Sequence, residues 1–202
     1  NKHPAKVTGT FFDDVIYGFL EPEMFPFVEK PDDYFLYIGR VTQLKGVNIA
    51  AEVCEKLGKR LIIAGPGDPP KYGEYVGSVD TKTRAELMGN ATAVFAPTMY
   101  IEPFGYVVIE SQMCGTPTIT TDWGAFVETN INGLTGFRCR TFEDFLVAAS
   151  NVKELDRNKI RNHAIENYTV DVAAEKYEKY FHRLEKLWGD GWYEISDSYR
   201  NK

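Results

Sequence analysis

The strongest constraint on the fold is an alternation. Short apolar runs, each stopped by Gly or Pro, take turns with stretches whose apolar residues recur at helical spacing. Tyr34-Phe35-Leu36-Tyr37-Ile38 stops at Gly39, and Arg60-Leu61-Ile62-Ile63-Ala64 stops at Gly65-Pro66-Gly67-Asp68. Between them Val47, Ala50, Ala51, Cys54 and Leu57 mark one helical face that Gly58 closes. The pattern continues with a weak strand over 75–77, a short helix over 81–89 and a strand over 93–96. It then predicts a helix over 105–114 with Gly115 as its C-cap, a strand over 117–120 and a sixth strand over 134–137. Three helices follow, over 141–152, 156–167 and 171–188; in the last, Ala174, Tyr177, Phe181, Leu184 and Leu187 or Trp188 form one stripe. Apolar runs of four or five residues are what strands buried on both faces look like. About five strand–helix alternations predict an α/β fold with a doubly wound parallel sheet, Rossmann-like in class.

Composition narrows the function. The chain has 202 residues, so one compact domain is the default. Lys and Arg number 23 against 29 Asp and Glu, and a net charge of −6 argues against a partner recognised through a nucleic-acid backbone. With 44% hydrophobic residues a real core is expected. The three cysteines Cys54, Cys114 and Cys139 are odd in number and lack any C-x-x-C, so neither a disulfide framework nor a zinc site is expected. A reducing, cytoplasmic setting follows as the simpler expectation. No run approaches a membrane span, and residues 1–10 carry no signal-peptide core. The chain does not begin with Met, which suggests a piece of a longer protein. Residues 1–33 contain Pro4, Pro22, Pro26 and Pro31, so few regular elements fit there.

Ligands of a doubly wound sheet bind outside the carboxyl ends of its strands. The loop after the first strand, from Gly39 to Gly46, carries Arg40 and Lys45 at the entrance of the next helix. A guanidinium, an ammonium and the amides of a helix N-terminus together suit a diphosphate. Taken alone, such a pair also fits two solvated surface charges. The loop after the fourth strand carries Glu102, kept off the helix by Pro103 and Gly105, while Glu110 falls inside the helix. The amides of Phe104, Gly105 and Tyr106 form that helix mouth and can hold an anion. A loop carboxylate beside such amides suits a ligand with both hydroxyls and phosphates, although Glu102 alone fits a helix-dipole role equally. Gly65-Pro66-Gly67 lacks the third glycine of a dinucleotide fingerprint and reads as a turn. There is no phosphate-binding P-loop and no D-x-D pair for a divalent metal, so binding without metal or cofactor is expected. His3, His163 and His182 lie outside the strand-end loops, and the last two read as surface residues of the final helices.

These loops, in this order, resemble the C-terminal, donor-binding half of the retaining GT-B glycosyltransferases of the family-4 type. The resemblance runs from about Val15 to about Trp188. It rests on Tyr37-Ile38-Gly39-Arg40 with Lys45-Gly46, on Leu61 through Gly67, and on Glu102-Pro103-Phe104-Gly105 with Glu110 and Cys114-Gly115-Thr116-Pro117. Glu102 and Glu110 are spaced as in that family's E-x7-E motif. The resemblance implies that Arg40 and Lys45 neutralise a leaving nucleoside diphosphate, and that Gly39 and Gly65 belong to the donor site. Glu102, beside the Phe104 and Gly105 amides, would hold hydroxyls of the transferred sugar. Glu110 would take the ribose hydroxyls, and the segment around Gly77 and Val79 would meet the base. Residues 1–33 would be a linker remnant and N-terminal segment, 34–170 the nucleotide-sugar-binding domain, and 171–202 a C-terminal helix and tail. The expected partners are a nucleotide-sugar donor and a missing N-terminal acceptor domain, through which alone a membrane could be touched. One departure stands out: Trp123 is bulky where the family commonly has a small residue, which implies a reshaped sugar pocket. A non-catalytic nucleotide-sugar-binding module working with a separate acceptor domain is the alternative. A glycosidase using Glu102 and Glu110 fits poorly, because it leaves Arg40, Lys45 and the helix mouth without a role.

Overall fold

The structure, a computed structural model, describes residues 14–190, with side chains through residue 185. Six strands form one sheet: β1 (Phe35–Ile38), β2 (Leu61–Ala64), β3 (Glu74–Gly77), β4 (Ala93–Ala96), β5 (Thr118–Thr121) and β6 (Gly136–Cys139). Every neighbouring pair is parallel and the order is β3-β2-β1-β4-β5-β6. The helices are α1 (Val47–Leu57), α2 (Thr81–Asn90), α3 (Tyr106–Met113), α4 (Phe126–Thr129), α5 (Phe142–Asn151), α6 (Arg157–Tyr168) and α7 (Val170–Asp190).

The period-two alternation of β1 divides the core. Phe35 and Tyr37 face one side, packed with Val47 and Cys54 of α1 and Phe145 and Ala148 of α5. Leu36 and Ile38 face the other, packed with Met88 of α2, Ile109 and Met113 of α3 and Ala164 of α6. Helices therefore cover both faces, and the apolar runs of β1, β2 and β4 are buried at every position. Strand β3 is exposed because it is an edge, and Arg60 grips Glu74 there.

The sequence reading differs from the structure at four points. The sixth strand starts at Gly136, not at Leu134, because residues 131–135 close a tight turn in which Leu134 N and Thr135 N both donate to Ile131 O. Gly136 is where pairing can begin: a Cβ there would lie 2.0 Å from Thr118 O. Helix α4 is a single turn, too short to show periodicity, and buries Phe126 and Thr129. His163 is half-buried in α6 rather than on the surface, and its Nε2 is buried with no hydrogen-bond partner. On α7, Ala174, Tyr177 and Phe181 are exposed, so that part of the stripe packs on no described residue as core. Leu187 and Trp188 lie outside the described side chains, and residues 1–13 and 191–202 outside the described residues.

Residues 14–19 form no regular element, yet Tyr17 and Leu20 pack on the core, with Leu20 N donating to Tyr168 O and Tyr17 stacked on Phe104. The three cysteines are buried free thiols, each pushed up to about 12 chiefly by burial. No helix among the described residues is long and apolar enough to cross a membrane.

Candidate functional site

In this strand order the connections leave β1 and β4 in opposite directions, so a crevice opens between their carboxyl ends. Both loops that carried sequence signals end there. The loop after β1 makes a 3-10 turn over Gln43–Lys45, capped by the Thr42 hydroxyl and stopped by Gly46 at φ 76°. A Cβ on Gly46 would lie 2.0 Å from Pro97 O, so only glycine lets this loop touch the loop after β4. Met99 N then donates to Leu44 O. That close approach delivers Lys45 to Glu102: Nζ donates to Oε2 at 2.6 Å. The Tyr100 hydroxyl donates to the same oxygen at 3.1 Å, and the Lys45 ammonium sits 4.8 Å from the Tyr100 ring centre. Burial works against the ammonium charge, but the bonds with Glu102 and Tyr100 outweigh it and hold the Lys45 pKa above its ordinary value.

The loop after β5 closes over Glu102 from the other side. Ala125 N donates to Glu102 O, and a Cβ on Gly124 would lie 2.8 Å from Glu102 N. Trp123 donates its indole N–H to Thr98 O at 3.1 Å and Tyr100 O at 3.2 Å, so its bulk braces the loop after β4. Gly105, left-handed at φ 79°, caps α3. Phe104 lies half-buried between Tyr17, Tyr106 and Tyr168, while Tyr106 is exposed. The first amides of α3, like those of any helix, have no intrahelical acceptor.

Arg40 is exposed and makes no ion pair with a described residue; its carbonyl accepts from the Tyr37 hydroxyl at 2.7 Å. Gly39 and Gly65 lie back to back, since a Cβ on Gly65 would meet Gly39 O at 1.9 Å. Gly65 N donates to Gly77 O at 2.7 Å, joining the ends of β2 and β3. Gly77 has open space where a Cβ would be, and Val79 packs on the core beside α2. Glu110, in the second turn of α3, is held by Arg84 of α2, whose Nε donates to Oε2 at 2.9 Å and whose terminal nitrogen reaches the same oxygen.

The structure thus brings Lys45 and Glu102 together, leaves Arg40 without an ion pair to a described residue, and gives Glu110 a partner of its own. Sequence reasoning gives no role to Tyr100 or Arg84, and it marks Trp123 as bulky without showing the loop that it braces. Tyr100 stands two residues before Glu102 and could have been flagged; no spacing signals Arg84, which is 26 residues from Glu110 on another helix. Among the described residues no group of His, Cys, Asp and Glu is arranged to hold a metal ion. A cavity of about 440 Å³ lies on the opposite edge, lined by Asp33, Thr92 and Pro117 just before β1, β4 and β5. That is the wrong end of a parallel sheet for a ligand.

A parallel sheet of this order, flanked by helices on both faces, is the Rossmann-like α/β domain found in GT-B glycosyltransferases. The chain belongs to the family of glycosyl transferases group 1, whose model matches residues 22–172. An uncharacterised glycosyltransferase of Methanocaldococcus jannaschii is 27% identical over 170 residues, 76% of this chain and 42% of that protein. A glycogen synthase of Mycobacterium tuberculosis is 34% identical over 122 residues, 52% of this chain and 29% of the synthase. AviGT4, a glycosyltransferase involved in avilamycin A biosynthesis, superposes with a TM-score of 0.75 at 26% identity, covering 86% of this chain and 59% of AviGT4. Anabaena HepE, solved in complex with UDP and glucose, shares the fold with a TM-score of 0.71 at 15% identity, over 84% of this chain and 57% of HepE. The chain spans less than half the length of these two curated relatives.

Proposed function

We propose that this chain is the donor-binding part of a retaining glycosyltransferase that takes a sugar from a nucleoside-diphosphate sugar. The observation that carries the reading is the Lys45–Glu102 contact of 2.6 Å at the crevice between β1 and β4. It puts a phosphate-seeking cation and a hydroxyl-seeking carboxylate within one ligand's reach. In sugar transfer the bond from the anomeric carbon to the diphosphate breaks, and negative charge grows on the leaving oxygen. Arg40 and Lys45 offset that charge, with the Phe104, Gly105 and Tyr106 amides beside them; such fixed electrostatic stabilisation is the main contribution a protein makes to this step. Glu102 accepts hydroxyls of the transferred sugar, Glu110 accepts the ribose hydroxyls, and the backbone from Gly77 to Val79 lies along the base. Gly39 and Gly65 allow the backbone to approach the ligand closely. The diphosphate needs no metal on this reading, because protein cations do that work, and the expected setting is cytoplasmic.

Calorimetric titration with UDP, GDP and ADP tests it. One of the three should bind with chelator present, and Arg40→Ala should weaken it about ten- to a hundredfold, the worth of one hydrogen bond to a charged group. Binding that chelator abolishes, or an Arg40→Ala protein as tight as the parent, would overturn the metal-free cationic site.

A further inference from the structure

We infer that Arg84 is a positioning residue for Glu110: it holds one carboxylate oxygen and leaves the other to accept ribose hydroxyls, which makes the site select ribonucleotides over 2′-deoxyribonucleotides. The inference rests on Glu110 being the ribose acceptor, as proposed above. It starts from how arginines meet carboxylates in this fold. An ionised carboxylate has about four lone-pair sites on two oxygens, and an arginine can take both oxygens in a fork. Arg60 does this to Glu74, with Nε on Oε1 at 2.7 Å and a terminal nitrogen on Oε2 at 2.8 Å. Asp122 instead meets two arginines, Arg138 at Oδ1 and Arg140 at Oδ2, neither of them forking across both oxygens.

The two site glutamates are each held by side chains at one oxygen, as Asp144 and Asp156 are held by backbone amides. Lys45 and Tyr100 both donate to Oε2 of Glu102. Two nitrogens of Arg84 both donate to Oε2 of Glu110. In each case one oxygen is saturated, and no described residue donates to Oε1. The second pair is partly buried, the Arg84 and Glu110 side chains being 29% and 16% exposed, so the geometry is more than a loose surface contact.

Arg84 is also well anchored. It lies one turn into α2, whose cap Asp80 takes the Thr83 amide at 2.8 Å. Its neighbours Ala85 and Met88 are buried, and Thr116 donates its hydroxyl to Met88 O at 2.7 Å. Helix α2 follows directly from the segment of Gly77 and Val79. A group held by a fixed element keeps its partner in one orientation before the ligand arrives, which lowers the ordering cost of binding.

The test is calorimetric titration of the 202-residue chain with UDP, GDP and ADP and with their 2′-deoxy counterparts. The parent should prefer the ribo form of whichever base it binds by roughly ten- to a hundredfold, since a carboxylate built for a hydroxyl penalises its loss. Arg84→Met should bring that ratio to within about threefold of one, while Arg84→Lys, which keeps a cation and a donor, should retain most of it. A parent-like ratio in Arg84→Met would make the pair a staple and overturn the inference. Should Arg84→Met not fold, Arg84→Gln carries the same expectation, and failure of both to fold also shows a staple. A parent that binds ribo and 2′-deoxy forms alike, or a Glu110→Gln protein that keeps the parent's ratio, instead removes Glu110 from the ribose and takes down the reading beneath.

Discussion

At the scale of single residues, Lys45 and Glu102 cannot act independently, because one ammonium donates to the carboxylate and, on the proposed reading, also meets the diphosphate. Removing the charge of Glu102 releases Lys45, so its effect should differ between ligands with and without a sugar. Glu102→Gln should lower affinity for the matching nucleotide sugar about tenfold or more, the cost of unpaired hydroxyls, and leave the bare diphosphate unchanged or slightly tighter. Glu110→Gln should weaken both ligands by similar factors. Titration of both variants with both ligands checks this, and equal losses of both ligands in Glu102→Gln would show that its role is misassigned. Lys45 and Glu102 were legible in the sequence because each sits in a short loop immediately after a buried strand. Arg84 was not, since its contact with Glu110 exists only because α2 and α3 pack side by side on one face. Trp123 was legible as a departure but not in its effect, which is a pair of hydrogen bonds to the backbone of another loop.

At the scale of elements, the inner strands were legible because they are buried. Strands β1, β2 and β4 lie inside the sheet with both faces covered, so each reads as an unbroken apolar run. The start of β6 was not legible, because a backbone approach at Gly136 sets it rather than hydrophobicity. Helix α6 shows the same limit: its weak amphipathic pattern gave no sign that His163 turns inward beside Tyr168. Burial holds the His163 pKa below its ordinary value of 6.5, against the pull of Glu166. The unfolded chain therefore takes up this proton at a pH where the folded chain does not. Stability from this group is full above the unfolded value and falls as pH drops through the window beneath it. Carboxylates held low by Lys153, Arg60 and backbone amides, namely Asp33, Glu74, Asp80 and Asp144, act at lower pH. Melting followed from about pH 7.5 to about pH 5 should show Tm falling for the parent and falling less for His163→Gln. Parallel curves for the two proteins would clear His163 of the effect.

At the scale of the whole molecule, the crevice between β1 and β4 leaves its charged groups partly open to solvent. Lys45 is 24% exposed and Glu102 13%, so water reaches the groups that would surround a reacting sugar. Residues 14–20 are tied to the mouth of α3, where Tyr17 stacks on Phe104 and donates to Glu128 at 2.8 Å, and α7 presents Tyr177 and Phe181 outward. Affinity and turnover should therefore part company. On the proposed reading, binding of a nucleoside diphosphate would depend on Arg40, Lys45 and the α3 amides, all of which this chain carries. Transfer depends also on an acceptor fixed opposite the anomeric carbon and on the exclusion of water, which a second domain closing over the crevice would supply. Initial rates of hydrolysis and transfer with UDP-, GDP- and ADP-sugars should be at least on the order of a hundredfold below those of a two-domain relative, even where the diphosphate binds well. Restoring transfer by adding a separately expressed acceptor domain would support the donor-half reading and disfavour a module that only binds. Rates equal to a two-domain relative from these 202 residues alone would show that the crevice is complete as it stands, and that Lys45 and Glu102 need no opposing surface to do their chemistry.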